Sequence, residues 1–333
     1  MQIKYWMLYP ILLGWGSCYA STSLDIQTQS LKSSTRFSSW QGIEPDKWAT
    51  LWLIKRHIVP DAYFILVPPN SDLPNNAYSF GVPESPLRRA NRDSMFRRLK
   101  QAMQLDSEAL TYLDEIIHDV EVNIWDAALH PHASWFETMY RKLQARYERD
   151  QVPVDCYLAF FDGVEDLSLQ SDAQADDYQK QLALDDRCPG TKAKQNAYIK
   201  QLTHEDVLRE ISLGKYVVFV DTREDEEYNE VHLPDAQILR LRDIDADSVQ
   251  PYVHADLVVP YCVKDFRGFE VAKSMKQLGI ERVATLSPSG LKGWLKAGLP
   301  VARAGDTSDQ QAMDKLMRCA MEPSNCLQES AKQ

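Results

Sequence analysis

The chain has 333 residues, of which 44% are hydrophobic and 26% are charged, and its formal net charge at pH 7 is −11. The composition is that of a globular protein, and the length favours two domains. Because an acidic chain of this kind offers no broad basic surface, its charge argues against a nucleic-acid partner.

The first twenty residues have the pattern of a secretory signal peptide. Lys4 precedes an apolar run from Tyr5 to Gly16, and small residues end at Ala20. The run is short for a membrane span. We therefore expect cleavage after Ala20 and a periplasmic or secreted protein without a membrane partner. An uncleaved anchor and a buried N-terminal helix are the alternatives.

Changes in composition divide the remaining chain into five segments. They are a flexible lead (21–39), a first domain (40–166), a polar linker (167–196), a second domain (197–303) and a C-terminal tail (304–333).

Export gives the cysteines a structural meaning, because disulfides form in oxidising compartments. Five cysteines remain beyond the signal segment, and an odd number leaves one free thiol or an intermolecular bond. We hypothesise that Cys156 pairs with Cys188 and Cys319 with Cys326, which leaves Cys262 free.

The first domain is predicted to be mostly helical with a strand component, an α+β arrangement. "DKWATLWLIKRHIV" has apolar residues at helical spacing and ends at Pro60, and "AYFILVP" is typical of a strand. A helix is expected from Asp93 to Met103. Two amphipathic helices follow, "DSEALTYLDEIIHDVEVNIW", with Asp106 or Ser107 as its cap, and "HASWFETMYRKLQARYERD".

Two clusters in this domain suggest chemistry. "PLRRANRDSMFRRLK" is rich in arginine, which binds oxyanions when several guanidinium groups converge, although a solvated face paired with acidic residues is the simpler interpretation. His118, Asp119 and Glu121, with His130 and His132 further on, are residue types that ligate a divalent metal, but their spacing fits no standard motif.

The second domain alternates helix and strand signals, which predicts an α/β fold with a parallel sheet flanked by helices. Thr203 is the expected cap of the helix "THEDVLREI". The continuous apolar runs "YVVFVDT" and "ADLVVPYC" are typical of buried parallel strands. Gly279 ends the helix "GFEVAKSMKQLG". Cys262 follows one of these strands, at the sheet edge where such folds place reactive groups.

The loop that begins at Cys262 favours a reactive sulfur. It precedes a helix, whose N-terminus stabilises anions, and Lys264, Asp265 and Arg267 leave it a net charge of about +1. These features predict a low thiolate pKa. A buried, inert cysteine that closes a strand is the alternative.

The motifs around this loop resemble the rhodanese family over about 105 residues. One motif of the family, D-x-R-x-x-x-E-(F/Y)-x-x-x-H-(I/L)-P-x-A, is matched by Asp221, Arg223, Glu227, Tyr228, His232, Leu233, Pro234 and Ala236. The active loop of the family, C-x4-R, is matched by Cys262 and Arg267, and its closing G-(x)-x-x-W by Gly290, Gly293 and Trp294.

The rhodanese resemblance implies a sulfurtransferase whose cysteine accepts a sulfane sulfur, forms a persulfide and passes the sulfur to a thiol. Cys262 would be the nucleophile, Arg267 would hold the loop, and Lys264 would attract an anionic donor. The persulfide would be bound by the segment that contains Val263, Asp265, Phe266 and Gly268. Asp221, Arg223 and His232 would be structural, and no cofactor would be required.

The loop also departs from the family. Asp265 stands where many members have glycine, Gly268 where many have serine, and "SPSG" replaces the usual "xGG". We expect an acidic side chain at the centre of the loop to repel anionic donors.

The first domain resembles the chromate-resistance exported protein family. "DKWATLWLIKRHIVPDAYFILVP" is similar to its "WLIRRFIDPxAxFxxVP" stretch, and "EIIHDVEV" to its "IVHDxD" stretch, within about 120 residues. The intervening family segment contains His and Cys, which the arginine-rich segment here lacks, so only His118 and Asp119 are carried over as candidate metal ligands. The resemblance implies a role in chromate resistance.

The leading hypothesis is sulfur transfer or thiol redox chemistry at Cys262, linked to the handling of an oxyanion. Its partners would be a small sulfur donor or an inorganic oxyanion and an unidentified thiol acceptor. The alternative is a binding or sensing module for an oxyanion or a persulfide, without turnover.

Overall fold

The computed structural model describes residues 26–90, 92–124, 128–169, 188 and 199–322. The predicted signal peptide and most of the predicted linker lie outside these residues. Within the described ranges, no helix is both long and apolar enough to cross a bilayer.

The N-terminal region is mostly helical, with one small parallel sheet. Its helices are α1 (Thr28–Ser33), α2 (Pro45–Leu53, extended by a π-helical turn over Ile54–Ile58), α3 (Met95–Ala102), α4 (Glu108–Glu121), α5 (Ala133–Ala145) and α6 (Val154–Ser168). Its strands pair in the order β2-β1-β3 and are β1 (Arg36–Trp40), β2 (Tyr63–Val67) and β3 (Tyr78–Ser79). The predicted α+β arrangement is confirmed.

Capping side chains determine where these helices begin. Pro45 is the first residue of α2, where its missing N–H costs nothing. The carboxylate of Asp46 accepts hydrogen bonds from the backbone N–H groups of Met95 (2.8 Å) and Phe96 (2.9 Å), so one helix caps the next. Ser107, one of the two predicted caps, accepts from Leu110 N at the start of α4.

The C-terminal region alternates strands and helices as predicted. Its strands are β4 (Lys200–Leu202), β5 (Val217–Asp221), β6 (Val231–His232), β7 (Gln237–Ile238), β8 (Leu257–Tyr261), β9 (Ala284–Leu286) and β10 (Ala302–Arg303). Its α-helices are α7 (His204–Ser212), α8 (Asp225–Glu230), α9 (Phe266–Gln277), α10 (Gly290–Lys296) and α11 (Asp309–Met321), and short 3-10 turns cover Leu241–Asp243 and Gln250–Tyr252. Thr203 caps α7 in a reciprocal box with Asp206, as the sequence predicts.

The central sheet is parallel, and β8 lies in its middle. β7, β5 and β8 pair in parallel, as do β4 and β9, and a parallel bridge between Val258 and Val283 joins the two groups. Every residue of β8 is buried, which explains its continuous apolar sequence. Helix α11, from the predicted tail, packs on α7 and contributes Leu316 to the core, so part of the tail belongs to this fold.

One hydrophobic core spans both regions. Helix α9 presents Phe266, Phe269 and Met275 to the same buried cluster as the aromatic residues of α5 and α6. The rings of Phe266 and Tyr140 meet edge to face, with centroids 5.9 Å apart. The N-terminal region therefore covers the helix that follows Cys262.

The cysteines follow the predicted pattern as far as they are described. Cys156 and Cys188 form a disulfide, Cys262 is free, and Cys319 is disulfide-bonded. Cys326 lies outside the described residues.

Candidate functional site

Cys262 lies directly after β8 and four residues before α9. Helix α10 holds the loop from behind, because Leu291 N donates to the Cys262 carbonyl (2.9 Å) and Lys292 N donates to the Val263 carbonyl (3.0 Å). The Gly268 N–H, in the first turn of α9, lies near the Cys262 sulfur and acts to lower the pKa of its thiol. The strand, loop and helix thus present the sulfur to a backbone donor at a helix N-terminus.

The structure buries this sulfur more deeply than the sequence indicates. Cys262 is only 2% exposed. Burial raises the pKa of its thiol to about 11, and the charge of Arg267 and the Gly268 N–H offset this only in part. The prediction of a low thiolate pKa was wrong for this conformation, because it counted the local charges of the loop and not the domain packed over it.

Lys264 does not present a free cation. Its Nζ lies 2.6 Å from Glu137 Oε2 on α5, and both side chains are largely buried. The charge predicted to attract an anionic donor is therefore compensated by the N-terminal region.

Asp265 anchors the loop to the N-terminal region. Its side chain is fully buried, with Arg141 Nη2 at 2.7 Å, Arg149 Nη2 at 2.6 Å and the donating Ser287 hydroxyl at 2.9 Å. Burial disfavours the carboxylate, but the two guanidinium groups outweigh this and lower its pKa. The expected repulsion of anions is offset by two cations that sequence reasoning missed. The indication of these cations in the sequence was Asp265 itself, which stands where many rhodanese-family members have glycine.

Arg267 lies between the thiol and two carboxylates. Its closest acidic partners are Glu227 (3.4 Å to Nη1) and Glu44 (3.9 Å to Nε), so it forms no tight ion pair among the described residues. Burial raises the pKa of Glu227, but the charges of Arg267, Arg89 and Arg223 prevail and lower it to about 2.

The family motif residues form a buried support below the loop. Arg223 Nη2 donates to Asp221 (2.6 Å) and to the Val231 carbonyl (2.6 Å), and the Tyr261 hydroxyl donates to Asp221 (2.7 Å). His232 contacts the Tyr228 carbonyl through Nδ1 (2.8 Å) and Asp309 through Nε2 (3.2 Å). These contacts are those of scaffold residues.

The other residues of the predicted binding loop are also buried. Val263 is 2% exposed, and Phe266 packs on Tyr140. Gly268 lets α9 approach β8 closely, since a Cβ there would lie 2.9 Å from the Pro260 carbonyl oxygen.

The two candidate metal ligands have separate partners. Arg97 Nη1 donates to His118 Nδ1 (2.9 Å), while Asp119 accepts from Asn123 Nδ2 and His130 N. Within the described ranges, no group of three or more His, Cys, Asp or Glu side chains has a geometry that could hold a metal ion. A metal at His118 and Asp119 stays a prediction.

The structure divides the arginine-rich segment. Arg97 and Lys100 pair with Asp114, and Arg92 reaches Glu230 at the surface. Arg88 and Arg89 instead line a cavity of about 300 Å³ between the two regions, which Arg267 lines from the other side.

Buried carboxyl groups also line this cavity, and the sequence did not indicate that they form a set. Burial raises the pKa of Asp46 to about 6 and the pKa values of Glu121 and Glu270 to about 8. Glu270 accepts a hydrogen bond from Ile43 N (2.6 Å) across the domain interface. In the sequence, they could have been found as acidic residues at helix positions where the apolar periodicity predicts a buried side chain.

We expect Glu270→Gln to make the protein less sensitive to alkaline pH. The folded pKa of Glu270 lies above its ordinary value of 4.5, so its contribution to stability is fully present below 4.5 and is lost as pH rises through about 8. The slope from this group is about 1.4 kcal/mol per pH unit in that window. Urea unfolding at pH 5, 6, 7 and 8 measures it. Glu281→Gln, at an exposed glutamate, should leave the slope unchanged, and equal slopes in all three proteins would contradict the assignment.

Comparison with known families finds a match for one segment in each region of the chain. Residues 37–167 match the model described as ChrB, C-terminal domain, and residues 203–297 match the rhodanese-like domain. Both resemblances inferred from the sequence motifs are confirmed. A comparison with curated proteins finds no match.

Solved structures resemble this chain over about a third of its length. The BH2092 protein from Bacillus halodurans is 26% identical, with a TM-score of 0.29, over 32% of this chain and 78% of its own. An uncharacterized protein from Saccharomyces cerevisiae is 24% identical, with a TM-score of 0.27, over 30% of this chain and 93% of its own. A thiosulfate sulfurtransferase from Pseudomonas aeruginosa is 23% identical, with a TM-score of 0.28, over 32% of this chain but 20% of its own. From the two family models, the chain joins a ChrB C-terminal domain to a rhodanese-like domain.

Proposed function

We propose that this chain is an exported protein of the chromate-resistance type whose Cys262 carries a sulfane sulfur. The observation that carries the proposal is the position of a free cysteine at the carboxyl end of β8, with the Gly268 N–H and Arg267 near its sulfur. The match of this region to the rhodanese-like domain supports the same chemistry.

The proposed reaction is a transfer of one sulfur atom. Cys262 first loses its proton to a base. The thiolate then attacks the outer sulfur of a donor such as thiosulfate, a bond forms between the two sulfur atoms, and the donor bond breaks with its electron pair left on sulfite. The product is a Cys262 persulfide, which an acceptor thiol can attack in turn. The backbone N–H groups of the Cys262 loop and the Arg267 guanidinium group would stabilise the negative charge on the terminal sulfur of the persulfide.

A second candidate function is a binding or sensing module without turnover. The burial of Cys262, together with its thiol pKa of about 11, favours this alternative. A thiol of this kind reacts slowly unless the N-terminal domain moves away from the loop. The two candidates differ in whether a persulfide accumulates.

The mass of the intact protein after mixing with thiosulfate separates them. We expect the wild type to gain one sulfur atom and the Cys262→Ser variant to gain none, because the serine hydroxyl cannot form the persulfide. Treatment with a reducing thiol should remove the added mass. A wild type that gains no mass after prolonged exposure, while Cys262 is alkylated on unfolding, would argue for the sensing module.

Export is part of the proposal. The Cys156–Cys188 disulfide and the bonded Cys319 are typical of oxidising compartments. Residues 1–20 have the composition of a signal peptide. We propose a periplasmic or secreted location, with a small sulfur donor or an inorganic oxyanion as the partner and an external thiol as the acceptor.

A further inference from the structure

The lining of the cavity between the two domains includes unpaired polar atoms from both. Within the described part of the chain, four buried atoms of its lining have no hydrogen-bond partner: Arg89 Nε, Arg267 Nε, Arg267 Nη2 and Glu121 Oε1. Glu121 is only 3% exposed. Buried polar atoms are normally satisfied, so a concentration of unsatisfied ones around a cavity indicates a ligand.

We propose that this cavity binds a small inorganic oxyanion, held by Arg89 from the ChrB C-terminal domain and Arg267 from the rhodanese-like domain. The inference rests on the proposed function, because Arg267 belongs to the Cys262 loop motif. It adds that the N-terminal domain supplies part of the substrate site.

The two guanidinium groups converge on one point. Arg89 Nη2 lies 3.8 Å from Glu227 Oε1 and Arg267 Nη1 lies 3.4 Å from Glu227 Oε2, so the groups flank a single carboxylate. Both contacts are longer than a tight charge-assisted hydrogen bond. Arg89 Nη1 also lies 3.6 Å from Glu121 Oε2, and Arg267 Nε lies 3.9 Å from Glu44 Oε1. All four contacts are long, so the guanidinium groups keep donor capacity for a bound anion.

The acidic residues of the lining do not favour a cation instead. Asp46 is occupied by the N–H groups of Met95 and Phe96, and Glu224 accepts two hydrogen bonds from Arg242. Burial raises the pKa of Glu121 to about 8, against the opposing charge of Arg89, which favours the protonated carboxyl group. A protonated carboxyl donates a hydrogen bond. Three of the four unsatisfied atoms are guanidinium nitrogens, which donate hydrogen bonds and suit a ligand rich in acceptor oxygens.

The cavity and the thiol site share Arg267. Arg267 lies close enough to Cys262 for its charge to lower the pKa of the thiol, and it also lines the cavity. An oxyanion bound there would contact the same guanidinium group that acts on the sulfur.

Calorimetric titration of the full chain with sulfate tests this inference. The Cys262→Ser variant is used throughout, so that no sulfur chemistry contributes. In this background we expect Arg89→Gln to weaken sulfate binding by at least about tenfold, because it removes a charged donor. Glutamine ends two bonds short of the guanidinium Nη atoms, so this variant also loses the hydrogen bond that Arg89 Nη2 makes to the Glu121 carbonyl at 2.6 Å.

The matched control is Arg92→Gln, which removes the same charge from the same segment at a side chain that is 70% exposed. It should bind sulfate within about twofold of its parent at constant ionic strength. Arg267→Gln, on the opposite wall of the cavity, should weaken sulfate binding as Arg89→Gln does. It tests the inference if Arg89→Gln does not fold.

The inference is overturned if the Cys262→Ser parent shows no sulfate binding, or if the Arg89 and Arg92 variants bind alike. Because these titrations use a protein without the thiol, their failure leaves the mass experiment on the wild type unaffected. Conversely, sulfate binding without any persulfide would retain the anion site and reject sulfur transfer.

Discussion

Alanine in place of Gly290 is expected to displace the Cys262 loop and to lower the free energy of unfolding by roughly 3–5 kcal/mol. Gly290 has φ +50°, and a Cβ there would lie 1.5 Å from the Lys264 carbonyl oxygen and 2.6 Å from the Cys262 carbonyl oxygen. Both obstacles are backbone atoms, so no side-chain rotation relieves the clash. Since α10 holds the loop through Leu291 N and Lys292 N, moving either element breaks the contact between them.

Chemical denaturation measures the loss of stability, and the rate of Cys262 alkylation reports the displacement of the loop. Gly214→Ala is the matched control, because Gly214 has φ +75° and a Cβ added there would meet no atom within 4 Å. It should cost only about 1–2 kcal/mol, the penalty for a left-handed backbone. Equal losses of unfolding free energy in Gly290→Ala and Gly214→Ala would show that the close approach of Gly290 to the loop does not affect stability.

Removing both arginines that face Asp265 is expected to lower the free energy of unfolding by about 3–5 kcal/mol. The double variant Arg141→Ala/Arg149→Ala leaves a fully buried carboxylate without a cation. It also removes the two guanidinium groups that lie over the rings of Phe266 and Phe269. We expect Cys262 to be alkylated faster at neutral pH, because the N-terminal domain is then held less firmly against the loop.

Removing the charge of Asp265 from the double variant separates the electrostatic contribution to stability from the packing contribution. Adding Asp265→Asn should recover part of the lost stability, since the amide can still accept from the Ser287 hydroxyl and carries no charge. Urea unfolding of the wild type, the double variant and the triple variant measures this recovery. If the triple variant is no more stable than the double one, the ion pairs do not hold the interface.

Much of the fold follows from local patterns. The apolar run before Cys262 predicted the buried strand β8, and Thr203 and Ser107 marked the helix starts that they cap. The motif from Asp221 to Ala236 indicated the family before any contact was known. These features depend on neighbours a few residues apart, which a single sequence displays.

The interface could not be predicted in the same way. Asp265 and Arg141 are 124 residues apart in the sequence, and neither position alone indicates the other. Cys262 is buried, and the neighbouring Asp265 is paired with the N-terminal region, whereas the local charges predicted the wrong sign for the shift of the thiol pKa. Likewise, the arginine-rich segment gave no sign that Arg89 turns inward while Arg92 reaches the surface.

The shared core also sets an order of events during synthesis. The N-terminal domain leaves the ribosome first, but the aromatic residues of α5 and α6 remain uncovered until α9 follows about a hundred residues later. At typical elongation rates this interval lasts roughly 5–20 s. During that time the nascent chain carries an exposed apolar surface, which is the kind of surface that chaperones bind.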